Sequence, residues 1–251
     1  MATHAVNGRR RRLLRVVAAG GAIFALASER LLSQTKGAAM KIGIIGSGNI
    51  GGTLGVLWAK AGYEVFFSSR HPDELGDLVK RAGSSARACM PREAAAFGDV
   101  VLISVPYGAV PQVGRDFATE LAGKVVLETG NPYPSRDGAM AGPALAKGTG
   151  LASAEFLPGV RLVRAFNSIP AHALASEANR SGERIGVPLA GDDPAALEIA
   201  SRLVRDAGFE PVVVGPLASA SKFDRDTSVY GRALTARELR QGLGLDPAAK
   251  P

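Results

Sequence analysis

Gly46, Gly48 and Gly51 occupy the G-x-G-x-x-G positions of "GSGNIGG". Glycines so spaced let backbone N–H groups hold a pyrophosphate. Gly46 permits a tight turn, Gly48 lets the backbone approach the phosphates, and Gly51 lets the following helix pack close to the preceding strand, with the phosphates at the helix N-terminus. About twenty residues on, an NAD-binding fold places an Asp or Glu for the ribose hydroxyls. Here the chain reads "VFFSSRHPDEL" and offers Ser68, Ser69, Arg70 and His71 instead, while Glu64 stands too early. Hydroxyls and a guanidinium suit a 2′-phosphate, which a carboxylate would repel, so the expected cofactor is NADP rather than NAD. One Arg–phosphate hydrogen bond is worth about 1.5–3 kcal/mol, or about 10- to 150-fold in preference. Arg70 and His71 also end a strand, and Pro72 at a helix N1 position gives His71 a share in capping.

These residues need elements to position them. "KIGII" is a short apolar β-rich run, and "TLGVLWAKAG" repeats Leu54, Val56, Leu57 and Ala61 at helical spacing before Gly62 closes the helix. "YEVFFS" supplies the second strand. The alternation continues through "PDELGDLVKRAG" (helix), "ARACM" (weak strand), "PREAAAFG" (helix), "DVVLISVP" (buried strand), "QVGRDFATELAG" (helix) and "KVVLET" (strand). Such alternation predicts an α/β Rossmann fold, a doubly wound parallel sheet that takes ligands beyond the carboxyl ends of its strands. Two of those ends turn sharply at a proline: "VPYGAV" and "TGNPYP". Val105, Pro106, Tyr107 and Asn131 are therefore candidates beside the nicotinamide ribose, with packing an equal reading for Tyr107 and a turn role for Asn131.

The second half offers a strand over 161–166 ending in Asn167 and Ser168, then "IGVPLAG", an Asp193 N-cap with Pro194 at N1, a helix stopped by Gly208, and a strand over 211–214. This unit either extends the sheet or forms a small lobe over the cleft. Thr235 and Glu238 form a capping box for a final helix. The expected organisation is a leader over 1–39, an NADP-binding Rossmann domain over 40–150 and a smaller C-terminal substrate or dimerisation portion over 151–251.

Composition narrows the partners. The net charge of +7 is concentrated in residues 1–39, where seven Lys/Arg face Glu29 alone, so the remainder is nearly neutral and calls for no nucleic acid. Cys89 stands alone, and His4, His71 and His172 show no metal-ligand spacing, so no disulfide and no metal are expected. "NGRRRRLLRVVAAGGAIFALASER" has the arginine cluster, short apolar run and A-x-A arrangement of a signal peptide, and its "RRRLLR" resembles a twin-arginine motif. Export to the periplasm follows, with membrane contact only through an uncleaved leader. If Met40 is the true start, the protein is cytoplasmic.

Together "IGIIGSGNIGG", "SSRHP", "VP", "GNPY", "RAFNSIPA" and "VPLAGDD…GPL" resemble, in that order, the NADP oxidoreductases dependent on coenzyme F-420, an 8-hydroxy-5-deazaflavin. "SKFDRDTSVYGRALTARELRQ" does not resemble that family's tail. The resemblance implies hydride transfer between NADP and a deazaflavin or flavin-type small molecule. It further implies that Gly46, Ser47, Gly48, Asn49 and Ile50 hold the pyrophosphate, Ser69 and Arg70 the 2′-phosphate, and Asn167, Ser168 and Pro170 the nicotinamide side. Homodimerisation is expected by the same analogy. No acid or base is required, since hydride transfer needs the two carbons held about 3–3.5 Å apart; His172 is read as structural. Two other readings stay open: an NADPH-linked electron donor resembling the cytosolic domain of membrane ferric reductases, and a non-enzymatic NADP(H) sensor.

Overall fold

The computed structural model describes residues 40–248, so the leader expected over 1–39 lies outside the described residues. Apolar β-branched runs form the central strands β1, β4 and β5. The chain opens with β1 (Lys41–Ile45), α1 (Asn49–Lys60), β2 (Glu64–Ser68), a 3₁₀ turn (Pro72–Leu75), α2 (Gly76–Ala82), β3 (Ala86–Cys89), α3 (Pro91–Phe97) and β4 (Val100–Ile103). It continues with α4 (Val110–Asp116), α5 (Ala118–Leu121), β5 (Val125–Glu128), α6 (Pro134–Asp137), α7 (Ala141–Lys147), α8 (Thr149–Phe156) and β6 (Arg161–Arg164). Last come α9 (Ala171–Ser176), β7 (Gly186–Gly191), α10 (Pro194–Asp206), β8 (Glu210–Gly215), a 3₁₀ segment (Leu217–Phe223) and α11 (Ala236–Gly242). Two expected helices are subdivided: the first turn after His71 is 3₁₀, and Phe117 separates α4 from α5.

All eight strands join one sheet in the order β3-β2-β1-β4-β5-β6-β7-β8. Of the two placements considered for the second half, β7 and β8 extend the sheet. Strands β1 to β6 pair in parallel, but β7 runs antiparallel to β6, and β8 is parallel to β7. The sheet is therefore mixed, not wholly parallel. After β6 the chain turns across the strand ends at Phe166–Pro170, and Ala173 and Leu174 of α9 bury in the core, so the chain enters β7 at the end of the sheet where β6 finishes.

Period-two alternation divides the core between the faces. Val100 and Leu102 join Ile42, Ile44, Trp58, Phe67 and Leu203 on one face; Val101 and Ile103 join Ile45, Val113, Val126 and Leu157 on the other. Both faces are covered, as a parallel sheet requires. Trp58 is fully buried, donates its indole N–H to the Leu203 carbonyl at 2.8 Å, and meets Phe166 edge-on at 6.2 Å. Helix α1, which carries the glycine loop, is thereby fixed to α10 and to the turn after β6.

The capping signals hold. Asp193 accepts from the N–H groups of Ala195 and Ala196, and Thr235 and Glu238 cap α11 reciprocally. Gly62 and Gly208 end their helices with φ of 99° and 94°.

Candidate functional site

The glycine loop joins β1 to α1. Gly46 has φ 97°, a conformation that side chains avoid, and a Cβ there would collide with the Ser104 carbonyl. A Cβ at Gly51 would strike the Gly46 carbonyl oxygen, whereas one at Gly48 would meet nothing within 4 Å. Only Gly48 therefore faces open space, where backbone can approach a ligand. The N-terminus of α1 has no side-chain cap and no acidic residue in its first turn. Its free N–H groups and positive dipole end suit an anion. Ser47 donates its backbone N–H to Ser68 O, while its Oγ is buried with no partner among the described residues. Asn49 is exposed and Ile50 half-buried at the same mouth. An orphaned hydroxyl, an uncapped helix end and an open glycine fit a pyrophosphate.

At the end of β2 the four candidates separate. Ser68 is fully buried and donates its hydroxyl to Ile44 O at 2.6 Å, tying β2 to β1. It is not exposed to a ligand, which corrects the expectation for this residue. Ser69 is half-buried, and its Oγ accepts from the His71 N–H at 3.0 Å. Arg70 and His71 are exposed, and Arg70 pairs with no carboxylate among the described residues. A 2′-phosphate can reach Ser69 and Arg70 here without breaking an existing ion pair.

Past β4, Val105 lies against the Gly46 turn and Pro106 is exposed at the start of a 3₁₀ turn, Tyr107–Ala109. Tyr107 is fully buried; its hydroxyl bonds Ser153 Oγ at 2.9 Å and the Thr149 carbonyl at 3.3 Å. Burial, and next the Glu128 carboxylate, push its phenol up to about 12. Tyr107 is thus packing beneath the site rather than lining it, the alternative already weighed.

Asn131 and Asn167 do meet. Asn131 Nδ2 donates to the Asn167 backbone carbonyl at 2.8 Å, and Asn167 Nδ2 donates to Asn131 Oδ1 at 3.3 Å and Phe223 O at 3.4 Å. Two backbone carbonyls as acceptors fix which way both amides point. Asn167 is buried and its Oδ1 has no partner among the described residues. The preceding residue, Phe166, holds φ 59°. Such strain in a bulky residue persists only where packing enforces it, here Trp58 and Phe209. Ser168 is buried and its carbonyl accepts from Gly231 N–H; Pro170 caps α9, and His172 on that helix is exposed.

Beneath this latch lies a polar network absent from the sequence reading. Glu128 and Arg164, paired in register at the ends of β5 and β6, are fully buried and form an ion pair. Glu128 also accepts from Gly130 N–H and from Ser153 Oγ. Arg164 donates to Gly130 O at 2.8 Å and lies 3.9 Å from Asp224, which in turn receives the N–H and hydroxyl of Thr149. Burial raises the Glu128 carboxyl, and Arg164, Gly130 N–H and Ser153 pull it back. The available signal was a charge at the last position of two buried apolar strands, "VVLE" and "RLVR", which reads equally well as a strand boundary.

Farther out, the hydroxyls of Tyr133 and Tyr230 bond at 2.6 Å, with the Arg136 and Arg225 guanidiniums 5.0 and 5.1 Å from the Tyr133 ring. A groove of about 490 Å³ lies elsewhere, between α10, β8 and α11, lined by apolar residues such as Leu197 and Val213 and by the charged Glu198, Arg205, Arg240 and Asp246. It contains none of the polar groups described above, so the strand-end cleft is the better candidate.

Comparison with known proteins bears on the family and the fold. The family model for "NADP oxidoreductase coenzyme F420-dependent" matches residues 41–132. The chain is 30% identical over 204 residues to Metalloreductase STEAP3 of Rattus norvegicus, covering 78% of this chain and 38% of that protein. It is 29% identical over 202 residues to the F420-dependent NADP reductase of Methanothermobacter thermautotrophicus, covering 75% of this chain and 86% of that protein. A crystal structure of the hypothetical protein SMa0349 from Sinorhizobium meliloti aligns with TM-score 0.69 at 25% identity, over 80% of this chain and 98% of that one. The resemblance drawn from the motifs is therefore shown, as is the α/β Rossmann-like fold. The matched family and the two curated relatives are oxidoreductases, the enzyme class expected from the sequence, with the acceptor unspecified.

Proposed function

We propose that this chain is an NADP(H)-dependent oxidoreductase that passes hydride between the nicotinamide and a deazaflavin or flavin-type acceptor. The observation that carries this reading is the uncapped N-terminus of α1, with open Gly48 and the orphaned Ser47 Oγ. Gly46 to Gly51 would hold the pyrophosphate, Ser69 and Arg70 the 2′-phosphate, and Asn131 and Asn167 the nicotinamide end. When bound, the nicotinamide supplies the hydride; the chain's residues orient it and keep the face toward the acceptor open. No side chain is assigned as acid or base; His172 is exposed on α9.

The match to the metalloreductase STEAP3 favours a second reading, reduction of a metal ion, which we would route through a flavin to ferric ion. Oxidation of NADPH and NADH by the purified protein, followed by absorbance under nitrogen against deazaflavin, FMN, riboflavin and ferric chelate, separates the two. NADPH-selective reduction of deazaflavin is expected. Ferric reduction that depends on added flavin would favour the second reading, and NADPH binding with no acceptor reduced would leave a sensor. The arginine-rich leader adds a proposal of export, which fractionation of expressing cells tests; protein confined to the cytoplasm would overturn it. No helix among the described residues is long and apolar enough to cross a membrane.

A further inference from the structure

We infer that Glu128 and Arg164 are positioning residues for the nicotinamide end of the cofactor: they clamp Gly130 from both sides so that Asn131, locked to Asn167, leaves Asn167 Oδ1 facing a carboxamide donor. This rests on the NADP(H) reading of the cleft. The two groups of Gly130 flank its Cα, and each is held by a different member of the pair: the N–H by Glu128, the C=O by Arg164 at 2.8 Å. Fixing both leaves the chain little rotation before Asn131. A Cβ at Gly130 would press on Glu128 Oε1 at 2.6 Å and Tyr107 Cδ2 at 3.0 Å, so the turn is tight as well as tethered.

Asn131 then spends both amide groups on Asn167, and Asn167 spends its donor on Asn131 and Phe223. What remains is one acceptor, Asn167 Oδ1, buried and unmatched. A buried acceptor without a donor is costly, and a ligand that brings an N–H relieves the cost. At the nicotinamide end of NADP the N–H donor is the primary carboxamide. The arrangement is built across two strand ends, so it cannot form from either strand alone. Ser153, which donates to Glu128, and Asp224, 3.9 Å from Arg164, are the other neighbours of the pair.

The test compares NADPH with 2′-phospho-ADP-ribose, which lacks the nicotinamide, and with the 3-acetylpyridine analogue of NADP, which lacks the carboxamide N–H. Binding to the full-length protein is measured by calorimetry. Wild type is expected to bind the acetylpyridine analogue about tenfold more weakly than NADP. Arg164→Lys and Glu128→Asp keep the charges but not the two-sided reach; each should lose about tenfold for NADPH, keep its affinity for 2′-phospho-ADP-ribose, and no longer discriminate against the analogue. Asn131→Ser leaves the buried pair untouched and should show the same split if either pair variant fails to fold. Equal losses for NADPH and the fragment, or no loss for NADPH, would overturn the positioning role while leaving NADP binding intact. A wild type that binds neither NADPH nor the fragment would overturn the cofactor reading itself and this inference with it.

Discussion

The two ends of the cleft are built by different physics. At the phosphate end the groups are backbone N–H, a free hydroxyl and an exposed guanidinium, all within residues 46–71. At the proposed nicotinamide end they are side-chain amides beside a buried cluster of three charges, Glu128, Arg164 and Asp224. On the proposed reading the first end would grip with local groups, of which Gly48 and Arg70 face solvent, and it leans little on the distant strands. The second is inseparable from the core, so a change there registers in stability before it registers in binding.

Arg164→Ala should show the largest difference. It leaves Glu128 buried without its partner, which costs about 3–5 kcal/mol, read by urea denaturation. Arg70→Ala in the same assay should leave stability unchanged, and a loss there would erase the contrast between the ends. Arg70→Ala should instead weaken NADPH binding about 10- to 150-fold and leave NADH binding unaltered; equal loss for both cofactors would remove the 2′-phosphate role. Within the glycine loop, Gly48→Ala should weaken NADPH about tenfold at constant Tm, since its Cβ meets only the ligand's space. Gly51→Ala should lower Tm as well, because its Cβ strikes the Gly46 carbonyl. Equal Tm values would show that the loop yields.

The neighbouring serines divide the same way on a smaller scale. Ser68→Ala should lower stability by about 0.5–1.5 kcal/mol and leave the NADPH-to-NADH ratio alone, while Ser69→Ala should do the reverse. The smallest effect is at Asp193, whose carboxyl the Arg161 hydrogen bond, followed by the Ala196 N–H, draws down to about 2. A lowered folded value means that its contribution is present above the unfolded value of about 3.9 and is lost as pH falls through about 2. The Tm difference between wild type and Asp193→Asn should therefore shrink to nothing over that interval, and a difference that persists at the lower end would deny the linkage.

The same division explains what could be read in advance. Gly46, Gly48, Gly51 and Arg70 lie in one local strand–turn–helix–strand unit, and the spacing that makes them a site is itself a sequence pattern. Asp193 and Thr235 were equally readable, because a cap acts within three residues. Ser68 went wrong by one position: alternation along β2 sends it inward and Ser69 outward, and a string cannot say where the pleat stops. Glu128 and Arg164 were missed because their pairing depends on β5 and β6 being neighbours, 36 residues apart. The reversal of β7 was also hidden, since an apolar strand reads the same in either direction. Helices α6, α7 and α8 lacked a clear apolar period, and nothing in 134–156 announced them.

The reach of Arg164 to Asp224 also sets a schedule. A chain leaving the ribosome amino end first has released the residues proposed to bind the phosphates once residue 71 is out, and the strand end that backs them, Ser104 and Val105, about thirty residues later. Asp224 and Phe223 follow Arg164 by about sixty residues, or roughly 3–12 s at about 5–20 residues per second. Through that interval the guanidinium has Glu128 and Gly130 but no counterpart from the carboxyl-terminal segment. On the proposed reading, the residues for the adenosine half are therefore made well before the last wall of the other half.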